Sequence, residues 1–97
     1  LIVDDNSPDQ TAALVEQLQD SAYPGRLFLL KRSGKLGLGT AYVAGFTWAL
    51  ARGYDYIFEM DADFSHDPRY LPEFLAAIQT SDVVLGSRYI PGGGVKN

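Results

Sequence analysis

The chain has 97 residues, of which 46% are hydrophobic and 21% are charged, and it contains no cysteine. This composition is ordinary for a globular domain, and the absence of cysteine excludes disulfides and thiolate metal sites. The net charge of −4 argues against a nucleic-acid-binding protein, because the scattered Lys and Arg residues form no cluster that could neutralise a run of phosphates. No apolar run approaches the ~20 residues of a membrane span.

Apolar runs and helical stripes alternate along the chain, which is the pattern of βαβ units and a parallel sheet. The sequence predicts strands at residues 1–3, 27–30, 54–60 and 82–86, and helices from Asn6 or Ser7 to Tyr23, Thr40–Arg52 and Tyr70–Thr80. The predicted fold is therefore an α/β, Rossmann-like, mostly parallel sheet with helices on both faces. Helix Thr40–Arg52 is apolar around most of its circumference, so we expect it to be well covered. Because the chain opens inside a strand pattern without Met, we expect a fragment of one domain.

Two predicted strands end in paired acidic residues. Asp4 and Asp5 follow the first strand, and Asp61 and Asp63 follow the third. Because parallel strands deliver their carboxyl ends to one edge of the sheet, both pairs are expected at that edge, where ligands gather. Carboxylates there commonly bind Mg²⁺ or Mn²⁺ together with substrate phosphates. The alternatives are a solvated acidic turn for the second pair and helix capping for the first.

Basic residues at the same edge offer contacts for phosphate. The loop Gly34 to Gly39 lacks the spacing of a P-loop or a dinucleotide fingerprint, but it carries Lys35 into a helix N-terminus, where backbone N–H groups favour an anion. Arg88 follows the fourth predicted strand and can grip two phosphate oxygens, or else form a salt bridge with a nearby carboxylate. His66, the single histidine, is interpreted as a bystander or polar turn residue rather than a base.

Four motifs, in order, resemble those of the polyprenyl-phosphate (dolichyl-phosphate) mannose synthases, which are inverting family 2 glycosyltransferases with a GT-A fold. They are Val-Asp-Asp-Asn-Ser-Pro-Asp, Gly-Lys-Leu-Gly-Leu-Gly-Thr-Ala-Tyr, Met-Asp-Ala-Asp-Phe-Ser-His-Asp-Pro, and Gly-Ser-Arg-Tyr with a Gly-Gly-Gly-Val tail. The resemblance implies that residues 1–97 belong to one GT-A nucleotide-sugar-binding catalytic domain. The family's first strand would precede Leu1, and its acceptor region would follow Asn97.

The resemblance also implies roles for particular residues. The nucleotide sugar would be bound by Val3, Asp5, Lys35, Asp61, Ala62 and Arg88. Catalysis would depend on Asp61, Asp63 and Arg88, and Mg²⁺ or Mn²⁺ would be held by Asp63 and Asp61 with Ser65. Ser65 stands where some members have glutamine, and a hydroxyl is a weaker ligand than that amide oxygen.

The implied reaction is metal-dependent, inverting transfer of mannose from GDP-mannose to a polyprenyl (dolichyl) phosphate at the cytoplasmic face of a membrane, reached through segments outside these residues. One alternative is a UDP-glucose-dependent polyprenyl-phosphate glucosyltransferase of the same family. Another is a receiver-type phosphoacceptor domain, because Leu-Ile-Val-Asp-Asp-Asn also opens such domains, although the Met-Pro and Lys-Pro signals are missing. Residues 1–97 by themselves are expected to be inactive, because catalysis needs both flanks.

Overall fold

The computed structural model describes residues 1–87 and 91–92, which form two compact units, Leu1–Glu59 and Met60–Asn97. The first unit contains strands β1 (Ile2–Asp4) and β2 (Leu29–Lys31) and helices α1 (Thr11–Ser21) and α2 (Leu38–Ala51). The second contains helix α3 (Leu71–Ala77), flanked by the 3-10 turns Pro68–Tyr70 and Ile78–Thr80. The predicted helix at Tyr70–Thr80 is thus confirmed, and it extends to Pro68.

The two strands pair in parallel, as predicted, with Ile2 opposite Leu29 and Asp4 opposite Lys31. Because alternate residues of a strand point to opposite faces, Ile2 and Asp4 share one face while Val3 faces the other. Ile2 lines a cavity of about 320 Å³ with Val15 and Leu18 of α1.

The opposite face of the sheet is covered by α2. A Cβ built on Gly45 of α2 would lie 3.7 Å from Val3 Cγ2, which is ordinary van der Waals contact. Phe28, on the Val3 face, also meets Trp48 of α2 with ring centroids 5.2 Å apart. The α/β class, with helices on both faces of parallel strands, is therefore confirmed.

The interior of the first unit is small. Among the described residues of the whole chain, the buried side chains are Val15, Ala49 and Asp4. The expectation that α2 is well covered is wrong for its outer side, where Val43 and Leu50 are exposed. A two-stranded sheet is too narrow to cover a helix that is apolar around its circumference.

The predicted third and fourth strands are not formed in the described part of the chain, since residues 54–61 and 83–87 are neither helix nor strand. A parallel strand takes its hydrogen bonds from neighbouring strands, and the sheet here consists of β1 and β2. The apolar side chains of these segments, such as Val83 and Leu85, are accordingly exposed.

Helix α1 also begins later than predicted, at Thr11, because local side-chain hydrogen bonds capture the preceding residues. Asp4 accepts hydrogen bonds from the backbone N–H of Ser7 at 3.2 Å and from its hydroxyl at 2.5 Å. Asp9 in turn accepts from the N–H of Thr11 at 3.2 Å. Such side-chain bonds compete with helix formation, so residues 6–10 contain a turn and a bend and do not begin the helix.

Candidate active site

The carboxyl edge of the first unit carries an ion pair. Asp5 follows β1 directly, Arg32 follows β2, and Arg32 Nε lies 2.9 Å from Asp5 Oδ1. The two side chains are only 21% and 11% exposed. Neither atom finds an aligned hydrogen-bond partner in the described residues, so the contact is ionic in character and does not have good N–H···O geometry. Arg32 thus places a positive charge directly beside the Asp5 carboxylate.

Asp4 has a different role, because its side chain is only 5% exposed and both of its carboxylate oxygens bond to Ser7. These bonds define the turn that leaves β1. Of the first acidic pair, Asp4 therefore shapes the chain, while Asp5 lies on the other face together with Val3. The capping alternative is wrong in detail, since the N-cap residue of α1 is Gln10.

The loop between β2 and α2 is tied to Arg32. Arg32 Nη2 donates to Thr40 Oγ1 at 2.8 Å, and the Thr40 hydroxyl donates to the carbonyl of Gly37 at 2.6 Å. Gly37, the N-cap of α2, has φ of +102°, a conformation that L side chains rarely adopt. Lys35 lies in this loop with its side chain exposed, and its phosphate contact remains a prediction.

The second unit opens with a turn that contains the other acidic pair. Asp63 Oδ1 accepts hydrogen bonds from the N–H of Ser65 at 3.0 Å and from its hydroxyl at 2.5 Å. The hydroxyl bond is the largest cause of a lowered pKa at Asp63, which is fully exposed. Both bonds use Oδ1, so the turn does not occupy Oδ2. Asp63 is therefore a carboxylate near neutral pH, with one oxygen directed away from the bonds that hold it.

His66 stabilises the same turn, because its Nδ1 accepts a hydrogen bond from the backbone N–H of Asp61 at 3.0 Å. This bond requires an unprotonated Nδ1 and closes the chain over Asp61 to His66. The interpretation of His66 as a polar turn residue is confirmed. Phe64, at the tip, has φ of +65° and is 100% exposed, a strained conformation for an aromatic residue.

Asp67 ends this turn and begins the next helical segment, as predicted. Its Oδ1 accepts from the N–H of Arg69 at 2.9 Å, and its Oδ2 pairs with Arg69 Nη2 at 2.6 Å. This pairing compensates the charge of Asp67. Asp63, by contrast, is fixed by the neutral N–H and hydroxyl of Ser65.

The predicted site residues are brought together within each unit. Asp61, Ala62, Asp63 and Ser65 share the acidic turn of the second unit, and Val3 and Asp5 share the end of β1 in the first. Arg88 lies outside the described residues, as does the tail beyond Gly92. The sequence interpretation missed Arg32. The Asp5–Arg32 contact follows from the strand register, in which Lys31 lies opposite Asp4, and that register is not given by the sequence.

The acidic turn has the donor chemistry of a magnesium or manganese site. Within residues 1–87 and 91–92 no three acidic or histidine side chains cluster closely enough to hold a metal by themselves. Mg²⁺, however, is usually bound through one or two carboxylates together with phosphates of the substrate, and Asp61 and Asp63 are such hard oxygen donors. A Ser65 hydroxyl that donates to Asp63 still has lone pairs to offer a cation. The residues present therefore fit the predicted ion.

These observations define one unit of α/β class and a second unit that carries an acidic turn, and comparison with known proteins gives the family of the chain. The family model described as Glycosyl transferase family 2 matches residues 1–97. The chain belongs to this family, as the motifs predicted. Membership favours the glycosyltransferase interpretation over the receiver-domain alternative.

Two curated relatives are similar to this chain over its whole length. The chain is 51% identical over 98 residues to a polyprenol monophosphomannose synthase of Mycolicibacterium smegmatis, covering 100% of this chain and 37% of that protein. It is 50% identical over 97 residues to an undecaprenyl-phosphate mannosyltransferase of Micrococcus luteus, covering 100% of this chain and 39% of the relative. The chain thus spans less than two fifths of the length of either protein. No solved structure gives a significant match.

Proposed function

We propose that the protein to which this chain belongs transfers mannose from GDP-mannose to a polyprenyl phosphate, with Mg²⁺ or Mn²⁺ as the metal ion. The observation that carries this proposal is identity of about half of all positions, over the whole chain, with two proteins named for mannose and polyprenol phosphates. The acidic turn supplies the physical support, because the carboxylates of Asp61 and Asp63 are hard oxygen donors suited to a metal-bound diphosphate.

The two acidic sites suit different parts of the donor. Asp5 already has the Arg32 countercharge, so its carboxylate is suited to neutral donors such as ribose hydroxyls or a base N–H. Val3, which is part-buried in the same strand, is proposed as a second contact for the nucleoside. Lys35, exposed in the following loop, is suited to a phosphate. The Asp61 and Asp63 carboxylates would hold the ion, which as a Lewis acid neutralises charge on the departing nucleoside diphosphate.

The chain's own residues orient this chemistry. Ser65 and His66 fix the acidic turn, so the carboxylates need little reorganisation when the donor binds. The acceptor is a lipid phosphate, which is already an anion near neutral pH and can displace the diphosphate from the anomeric carbon without a general base. The engagement of His66 Nδ1 with Asp61 supports this view. Arg88 is expected to contact the diphosphate or the acceptor phosphate.

The site of action is proposed to be the cytoplasmic face of a membrane, where a lipid phosphate and a nucleotide sugar can both be reached. No helix among residues 1–87 and 91–92 is long and apolar enough to cross a bilayer. Separately, we propose that segments of the full protein outside residues 1–97 contact the membrane.

The deciding experiment is calorimetric titration of the full-length protein with GDP-mannose and with UDP-glucose, each with and without Mn²⁺. Tight binding of GDP-mannose that depends on the metal is expected. Preference for UDP-glucose would replace the donor and favour the glucosyltransferase alternative, and binding of neither sugar nucleotide would contradict the proposal. Transfer of labelled mannose to polyprenyl phosphate in detergent then tests the acceptor.

A further inference from the structure

The Asp5–Arg32 ion pair is one contact in a larger network that centres on Arg32. The backbone N–H of Arg32 donates to the carbonyl of Asp4 at 2.8 Å, which extends the β1–β2 ladder by one bond. Its guanidinium meets Asp5 through Nε and Thr40 through Nη2. Arg32 therefore connects the end of β1, the end of β2 and the first turn of α2.

The geometry makes Arg32 poorly suited to bind a ligand itself. Its side chain is 11% exposed, and two of its nitrogens are directed at protein groups. Asp5 is the more exposed partner, at 21%, and the ion pair engages its Oδ1. A planar guanidinium with two fixed contacts restrains the carboxylate more strongly than the single point charge of a lysine would.

Thr40 carries the network into the glycine loop. Its hydroxyl accepts from Arg32 and donates to the carbonyl of Gly37, the residue with the left-handed backbone at the start of α2. The proton of the hydroxyl is thus committed to Gly37 while a lone pair receives Arg32. Thr40 thus connects the loop that carries Lys35 to the guanidinium that faces Asp5.

We propose that Arg32 is a positioning residue that holds the Asp5 carboxylate for donor binding and, through the Thr40 hydroxyl, couples that carboxylate to the glycine loop. This inference rests on the proposed function, because it takes Asp5 as a contact for the nucleoside of the donor. It adds that the affinity at Asp5 is set partly by a hydroxyl on α2 that does not itself contact the donor.

Thr40 offers the decisive variants, because Arg32→Met also removes the countercharge of a part-buried carboxylate and lowers stability. Thr40→Val keeps the shape of the side chain and deletes the hydroxyl, whereas the control Thr40→Ser keeps the hydroxyl. In the full-length protein, Thr40→Val is expected to weaken GDP-mannose binding by about three- to tenfold, the scale of one hydrogen bond of ordinary net strength. Thr40→Ser should stay within about twofold of the parent.

A double-mutant cycle separates coupling from a local effect on the helix. In the Arg32→Lys background, which is expected to bind about tenfold more weakly, Thr40→Val should add almost nothing because the contact between the two residues is already lost. Additive losses would overturn the coupling. Equal donor affinity of Thr40→Val and the parent would overturn the inference as a whole, as would lowered thermal stability with unchanged affinity.

Two further measurements distinguish failure of this inference from failure of the proposed function. Asp5→Asn should weaken donor binding; if it does not, Asp5 is no donor contact and the inference falls while metal-dependent binding can still stand. If the parent binds no sugar nucleotide, the proposed function fails, and carbon-13 relaxation of the Asp5 carboxylate still tests the positioning. That carboxylate should gain motion in Thr40→Val and not in Thr40→Ser, and equal motion would contradict the network.

Discussion

Asp5 of the first unit and Asp63 of the second unit are held in opposite ways. In the first unit Asp4 is buried and bonded to Ser7, and Asp5 is part-buried against Arg32. In the second unit Asp63 is fully exposed and is fixed by the neutral hydroxyl and N–H of Ser65. The Arg32 contact offsets the negative charge of Asp5, whereas the Ser65 bonds orient Asp63 and preserve its charge.

This difference teaches which acidic pair can attract a cation. A carboxylate that already faces a guanidinium gains little from a metal ion and would lose its partner on binding it. A carboxylate fixed by neutral donors keeps its full charge and has a lowered pKa, so it remains ionised below the usual range of Asp. We therefore propose that the acidic turn would hold the metal and that the end of β1 recognises the nucleoside, and the substitutions in the acidic turn below test this division.

The largest expected effect follows removal of the charge in the acidic turn. Asp63→Asn in the full-length protein should lower mannosyl transfer by about a thousandfold, the scale expected when stabilisation of developing charge is lost. A radiolabelled transfer assay at saturating Mn²⁺ measures it.

Asp9→Asn is the matched control, because Asp9 is also exposed and accepts hydrogen bonds from the N–H and hydroxyl of a residue two positions later, Thr11. It should leave transfer unchanged. Equal losses in the two variants would remove the distinction between the units.

Substitution of His66 is expected to have a smaller effect than Asp63→Asn. The effect depends on whether the new side chain can accept the hydrogen bond from the N–H of Asp61. Asn places its amide oxygen near the Nδ1 position of histidine and can accept from the N–H of Asp61, whereas Gln places its oxygen near the Nε2 position. His66→Gln should therefore weaken donor binding by about five- to tenfold, from one lost hydrogen bond, with His66→Asn close to the parent. Calorimetry with GDP-mannose and Mn²⁺ compares them.

The opposite order of affinities would show that Nδ1 does not support the turn. If His66→Ala abolished transfer while leaving donor affinity intact, the view that no general base is needed would be wrong.

Ser65 controls the protonation of the acidic turn. Ser65→Ala removes the main cause of the lowered pKa of Asp63, so that pKa should rise toward its ordinary value. Because the folded-state pKa of Asp63 is depressed, its stabilising contribution is present above the ordinary pKa and is lost as pH falls through the depressed one. Carbon-13 NMR titration of the Asp63 carboxylate measures this pKa in the parent and in Ser65→Ala.

Thr11→Val provides the matched change in the first unit. It should raise the pKa of Asp9, which the Thr11 hydroxyl lowers, without changing metal-dependent donor binding. Ser65→Ala, by contrast, should shift metal binding toward higher pH. An unchanged pKa at Asp63 would contradict the assigned cause.

The last prediction concerns the free energy of unfolding and compares one glycine from each unit. A Cβ at Gly86 would lie 2.8 Å from Phe74 Cζ, so Gly86→Ala should destabilise by about 1–3 kcal/mol through overpacking. Gly45 lies within α2, where an added Cβ meets Val3 at an ordinary 3.7 Å, and Gly45→Ala should stabilise by about 0.5–1 kcal/mol. Thermal unfolding of the full-length protein gives both values, and shifts of the same sign would contradict the comparison.

Much of the local structure could be predicted from the sequence. The Asp67-Pro68 helix start is a local signal, and the structure confirms it through the bond from Arg69 N–H to Asp67. The parallel pairing of Leu1-Ile2-Val3 with Leu27 to Leu30 follows from two apolar runs separated by a helix. The observed β1 is shifted by one residue, and β2 begins two residues later and ends one residue later than predicted. Local turn chemistry was harder to predict, because Asp4 and Asp9 could either cap a helix or delay it.

The sequence by itself determined the family, the α/β class and the acidic motifs. Each of these depends on local features, namely the spacing of apolar residues, the turn residues and the order of the motifs. Only the tertiary structure decided which carboxylate has a countercharge. The Asp5–Arg32 contact joins residues from two strands and reaches Thr40 on a helix, and such a contact depends on strand register and on burial. For the same reason, residues 54–60 have the sequence of a strand without forming one, because a strand exists only through hydrogen bonds to its neighbours.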